Sequence, residues 1–110
     1  ISNFYVTNIT DGRIPFTGVI EMSALVDKKY FGGKALVYLP IYVSSYDPIF
    51  DQNDEEIKAS FIESLKQLYP SVKNEYISFI GVARTRHVIT VSKLNYSKNV
   101  PDVKTSVPNL

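Results

Sequence analysis

The sequence predicts an α+β domain, a mostly antiparallel β-sheet covered by one α-helix, and three observations carry that expectation. Strand-like runs rich in β-branched and aromatic residues occupy residues 4–9, 16–25 and 34–43. One amphipathic stretch with a complete start signal follows at residues 53–69. A further alternating run, residues 76–94, comes after it, and strands gathered around a single helix argue for sheet-plus-helix packing.

In the first run Phe4, Val6 and Asn8 share one face and Tyr5, Thr7 and Ile9 the other. Asp11-Gly12 and Pro15 supply turn chemistry, and the second run resumes with Thr17, Val19 and Ile20, so the pair reads as a hairpin. After the turn Asp27-Lys28-Lys29 and the Gly32-Gly33 pair, residues 34–43 are continuously apolar and aromatic, the pattern of a strand covered on both faces. Pro40 has no N–H and assigns that end to an edge or a bulge.

Asn53-Asp54-Glu55-Glu56 is the clearest local signal: Asn53 as N-cap, Glu56 in the capping-box position, and acids at the positive end of the helix dipole. Ile57, Phe61, Leu65 and Leu68 then form one apolar stripe, which is expected to pack on the sheet, and Lys58, Glu63, Lys66 and Gln67 fall on other faces. Pro70 ends the helix near Tyr69. Residues 76–94 carry Ile77, Phe79, Val82, Val88, Ile89 and Val91 between polar positions and read as one or two strands bent near Gly81. Residues 98–110, with Pro101 and Pro108, read as a connecting tail.

With 110 residues the chain is one domain, and 45% apolar and 21% charged residues are those of a globular protein. A net charge of +1 weakens the electrostatic case for nucleic acid as a partner. The absence of cysteine excludes a disulfide framework and thiolate chemistry, and a single histidine argues against a zinc site. The longest apolar run, 35–43, is too short to cross a bilayer, and no signal-peptide pattern precedes Phe4, so the expected location is cytoplasmic. A chain beginning with Ile is expected to be processed or excised from a longer one.

Several residues invite a chemical reading beside a plainer one. His87 between Arg84-Thr85-Arg86 and the following strand could orient an anion, and the plainer reading is a half-exposed strand end. The two arginines beside aromatic strands could stack on bases, a reading that the neutral charge and missing ribonucleoprotein motif disfavour. Glu21 stands inside an apolar strand, where an unpaired charge is costly, so it is either paired, cavity-facing or on an exposed face. Tyr38, Tyr42, Tyr46, Tyr69 and Phe50 could line an aromatic pocket or simply fill the core. The two glycosylation sequons, at Asn8 and Asn95, are read as coincidence. No hydrolase, nucleotide-loop or zinc-protease motif is present, and no catalytic residue is assigned.

Asn8-Ile9-Thr10-Asp11 followed by Ile14-Pro15-Phe16-Thr17-Gly18-Val19-Ile20-Glu21 resembles the N-x-T-D…P-[YF]-T-x-[VI]-I-E segment in the substrate domain of UDP-galactopyranose mutases and related flavoproteins of the amine oxidase and protoporphyrinogen oxidase superfamily. Phe31-Gly32-Gly33, Val37-Tyr38-Leu39-Pro40, Leu68-Tyr69-Pro70 and Tyr96-Ser97 before Pro101 are similar to the succession in its amine-oxidase-like members, and Val107-Pro108-Asn109-Leu110 to the run before their last flavin-binding segment. The resemblance implies the substrate-binding (cap) domain of a larger FAD-dependent oxidoreductase, with the flavin-binding domain of the same parent chain as partner. It implies FAD in the parent, little or none on this piece alone, and a small-molecule substrate. Thr17, Glu21, Tyr38 and Tyr42 are then the candidate substrate-facing positions, Glu21 alternatively pairing with Arg13 or Lys34. Where the mutases carry an arginine implicated in binding the substrate diphosphate, this chain has Gly18, a departure that puts mutase activity in doubt. The alternative is a free-standing α+β module that binds a ligand or a protein in a pocket lined by the same tyrosines. A hydrolase using Glu21 would need a second, matching carboxylate, and the sequence supplies none.

Overall fold

A computed structural model of the chain describes residues 1–102, 104, 106 and 107. Three antiparallel strands, β1 (Val6–Asn8), β2 (Gly18–Glu21) and β3 (Val37–Tyr38), form a sheet in the order β1-β2-β3, and one helix, α1 (Asp54–Leu68), follows. The α+β class is as expected. Val6 pairs with Ile20, Thr7 with Val19 and Asn8 with Gly18, so the first two strands form the expected hairpin; Ile20 pairs with Tyr38 and Glu21 with Val37.

The start of α1 follows its local sequence. The Glu56 amide donates to Asn53 Oδ1 at 2.9 Å and the Asn53 amide to Glu56 Oε2 at 3.2 Å, which satisfies two donors that a helix end otherwise leaves unpaired. Tyr69 closes the far end by donating its amide to the Leu65 carbonyl at 2.8 Å, immediately before Pro70. Ile57 and Leu65 are buried, and Phe61, Leu65 and Leu68 pack with Phe16, Val19, Val37 and Leu39 of the sheet region. The Phe16 and Phe61 rings meet at 5.5 Å between centroids, tilted by 49°. Phe16 and Val19, each 2% exposed, are the deepest side chains of this core.

The strands are shorter than the runs that announced them. Residues 16–25 hold a strand only over Gly18–Glu21, because Leu25 and Val26 both turn back to donate to the Met22 carbonyl. Residues 34–43 hold only Val37–Tyr38, and this strand is not covered on both faces: Tyr38 and Tyr42 are exposed. Pro40 explains the early end. It follows an edge strand, and its carbonyl accepts both the Thr17 amide at 2.8 Å and the Thr17 hydroxyl at 3.0 Å in place of a ladder. At the entrance to this region Gly32 and Gly33 have φ of 62° and 78°, left-handed values suited to glycine, and Gly33 donates back to Lys28.

The largest correction concerns residues 76–94. They form no strand; a single 3-10 turn, Asn74–Tyr76, is followed by chain in which Phe79, Val88, Ile89, Val91 and Leu94 stand in solvent while Ile77, Ile80 and Val82 are half-buried. A strand exists only when a partner accepts its backbone groups, and the fold brings no free edge to this run. In the tail, residues 103, 105 and 108–110 lie outside the described residues, and with them most of the run Val107-Pro108-Asn109-Leu110. Among the described residues no helix is long and apolar enough to cross a membrane.

Candidate functional site

The turn that joins β1 to β2 and the chain leaving β3 face one another across an open cleft of about 240 Å³. Ile9, Ile14 and Phe16 line it on one side, Ile41 and Tyr42 on the other, with Asp11 at the turn. Thr17 also lines it and joins its margins, through the two hydrogen bonds to the Pro40 carbonyl. An apolar concavity with a few polar groups at its margin is the ordinary form of a small-molecule site.

Asp11 is organised by its neighbour. The Arg13 side chain donates to it through Nε at 3.0 Å and Nη2 at 2.6 Å, the Arg13 amide donates to Oδ1 at 3.0 Å, and the Ile14 amide closes the turn on the Asp11 carbonyl. These charge-assisted bonds, the side-chain bond first, lower the carboxyl from 3.8 to about 2, and they raise the Arg13 guanidinium. The cleft therefore has a fixed anion at its turn, already matched by a cation.

The expected substrate-facing residues separate. Thr17 and Tyr42 both line this cleft. Tyr38 stands elsewhere, half exposed opposite Ile20 on β3. Glu21 is 3% exposed and does not line this cleft: Oε2 accepts from the Ile1 ammonium at 2.8 Å and the Ser2 amide at 2.9 Å, and Oε1 accepts from the Ser23 hydroxyl at 3.2 Å. Burial pushes this carboxyl up, but the hydrogen bond from the ammonium, that from Ser2, the charge of the ammonium and the Ser23 bond together bring it below its ordinary value. Neither expected partner is used, since Arg13 is held by Asp11 and the ion pair of Glu21 is with Ile1.

Gly18 has a spatial reason to lack a side chain. It is buried in β2, and a Cβ there would lie 3.2 Å from the Thr7 carbonyl oxygen, a tight contact that any side chain at this position could make only if the neighbouring strand gave way by a few tenths of an ångström. The arginines of the second half form no anion site. Arg84 donates to Asp54 Oδ1 at 2.6 Å and to the Gln52 carbonyl at 2.9 Å; Arg86 donates to the Ser45 carbonyl and lies 4.5 Å from the Phe50 ring centroid. His87 is exposed outside any strand, not at a strand end. Among the described residues no group of three or more His, Asp or Glu could hold a metal ion.

A second groove, about 410 Å³, runs between α1 and residues near Asn74 and Ile80. Its lysines are matched within the helix, Lys58 to Glu55 at 2.8 Å and Lys66 to Glu63 at 3.8 Å, and the Glu55 hydrogen bond raises the Lys58 ammonium. Sequence reasoning missed Asp11 and Ile41 as cleft residues. The Asp11-x-Arg13 spacing was the available signal for Asp11, and it was spent on reading a turn; Ile41 had none, because its place follows from the path of the chain after Pro40.

Comparison of the sequence with protein-family models, with curated proteins and with solved structures finds no match in any of the three.

Proposed function

We propose that this chain is the substrate-binding domain of an FAD-dependent amine-oxidase-like oxidoreductase, with the cleft beside Thr17 and Tyr42 as the surface that meets a small, largely apolar substrate. One observation carries the reading: the segment that resembles the flavoprotein substrate domains, Asn8 to Asp11 and Ile14 to Glu21, supplies all of β2, the last residue of β1 and, apart from Gly12, one wall of that cleft. In this reading Phe16 and Ile14 exclude water from the substrate's apolar part, Thr17 holds the two margins together, and the Tyr42 hydroxyl contributes a donor at the rim.

The start of α1 is poorly suited to the pyrophosphate of FAD. The first turn of α1 carries Asp54, Glu55 and Glu56, and its capping box uses the amides that would receive a pyrophosphate. FAD would therefore be held by a flavin-binding domain of the parent chain, and the same reading takes that parent as cytoplasmic. No redox step is assigned to residues of this domain.

The test is the mass of the native polypeptide, by immunoblot with an antibody raised against this chain, followed by the absorbance spectrum of the captured protein. A band several times heavier that carries flavin absorbance is the expected result. A band at the mass of this chain overturns the reading and leaves the free-standing binding module. In the flavin-bearing parent, Tyr42→Ala is expected to raise KM severalfold with little change in kcat, because the side chain contacts substrate without taking part in chemistry.

A further inference from the structure

The surface of this molecule is larger than its mass requires. Its accessible area is 9029 Å², whereas a compact monomer of 12.4 kDa exposes about 6,100 Å². The radius of gyration is 18.2 Å, against about 13 Å for a compact chain of this length. The excess, about 2,900 Å², exceeds the roughly 800 Å² that each partner buries in a standard interface.

Part of that surface is an unpaired strand sequence. Residues 87–92, His-Val-Ile-Thr-Val-Ser, contain no Pro, Gly or formal charge with the histidine neutral, and Val88, Ile89 and Val91 are 63%, 80% and 76% exposed. Among the described residues, no backbone–backbone hydrogen bond involves residues 78–92. Arg84 and Arg86 tether the base of this run to Asp54, Gln52 and Ser45, so it leaves the body from a fixed point.

The same molecule also carries an open acceptor. β1 is an edge strand: the Glu21 amide donates to the Tyr5 carbonyl and the Ile9 amide to the Thr17 carbonyl, so the intervening Val6 and Asn8 turn their backbone groups away from β2. Phe4, Tyr5 and Val6 are exposed along that edge. An uncovered edge bordered by apolar side chains is a template for strand addition.

We propose that two copies of this chain associate by reciprocal strand addition, residues 87–92 of each copy pairing with the outer edge of β1 of the other. Donor and acceptor lie on every copy, so two exchanges close a two-fold dimer in which each β1 edge is paired. A net charge of +1 per copy opposes the approach only weakly. The inference stands on the exposed run and the open edge alone and does not depend on the flavoprotein reading.

The test is the molar mass of the 110-residue chain in solution by light scattering, across a concentration series up to tens of micromolar. Twice the chain mass is expected at the upper end. Val6→Pro removes a backbone donor that faces away from β2, and Ile89→Pro interrupts the donor run, where no fold contact is lost; each is expected to weaken self-association tenfold or more, about the effect of losing one or two ladder hydrogen bonds. Mixing the two variants restores one intact joint, so heterodimers are expected where neither variant self-associates, and an unchanged helix ellipticity of the Val6→Pro chain separates loss of the acceptor edge from loss of the fold. A chain that stays monomeric, a dimer that neither substitution weakens, or a mixture that forms no heterodimer overturns the proposal.

Discussion

Val19 and Phe79 are both large apolar residues set in strand-like sequence, yet the first is 2% exposed and the second 86%. The difference lies in their surroundings. Val19 belongs to β2, which has a partner on each side and a helix across its face; Phe79 belongs to a run that has no partner strand among the described residues and borders α1 only at the groove beside Ile80. Residues 4–72 thus form a small cooperative body, and residues 77–94 form an appendage tied to it by arginines. β-propensity describes how well a side chain suits a pleated surface, and it has no effect until another strand supplies that surface.

The largest expected effect comes from moving one truncation between the two regions. Phe16→Ala removes a ring packed against Phe61 and should cost about 3–5 kcal/mol, enough to unfold a core this small, whereas Phe79→Ala should stay within about 0.5 kcal/mol. Urea unfolding followed by helix ellipticity measures both, at a concentration where the chain is monomeric. Equal losses would break the comparison, since the second region would then be part of the cooperative body.

Glu21 gives the next largest effect and adds a pH dependence. In the 110-residue chain, Glu21→Gln weakens the bonds from Ile1 and Ser2 and should cost about 1–3 kcal/mol near neutral pH. Its carboxyl is lowered in the folded state, so the stabilisation is complete above the unfolded value and disappears as pH falls through the folded one. Asp11 adds a contribution of the same sign, lost as pH falls from 3.8 toward about 2. The urea midpoint of the wild type should drop on acidification, and that of the Gln variant should drop less. A Gln variant with the same acid profile would remove Glu21 from this account.

Asn53→Ala sharpens the view that α1 starts from local chemistry. It should lower stability by about 1 kcal/mol and the Tm by about 4–8 °C, visible in a thermal melt. Arg84→Ala has the smallest effect, under about 1 kcal/mol, because its bond to Asp54 is partly exposed and joins the appendage to the body rather than the body to itself. Its consequence should appear instead as faster proteolysis within residues 78–92, with the melt nearly unchanged.

Legibility in the sequence followed the range of the interactions. The capping box, the apolar stripe of α1 and its end at Pro70 are contacts between residues a few positions apart, and all were readable. The β1–β2 hairpin was readable too, since Asp11-Gly12 and Pro15 sit between two alternating runs. Strand lengths were not: the end of β3 depends on the Pro40 carbonyl receiving Thr17 from 23 residues away. Of the candidate site, Thr17 and Tyr42 share one cleft, while the buried environment of Glu21 depends on Ile1 and Ser2 reaching it from about 20 residues upstream.

The sequence by itself determined the class of the fold, the bounds of its one helix to within a residue, the hairpin, and the need for Glu21 to be held by partners. Tertiary structure decided which partners those were, where each strand stopped, that Arg84 and Arg86 serve the chain's own acceptors, and that the fourth strand-like run pairs with no other strand among the described residues. The physical reason is one of closure. A helix satisfies its backbone within itself, so its limits are written locally, whereas a strand is completed only by another strand, and whether one arrives depends on the path of the whole chain.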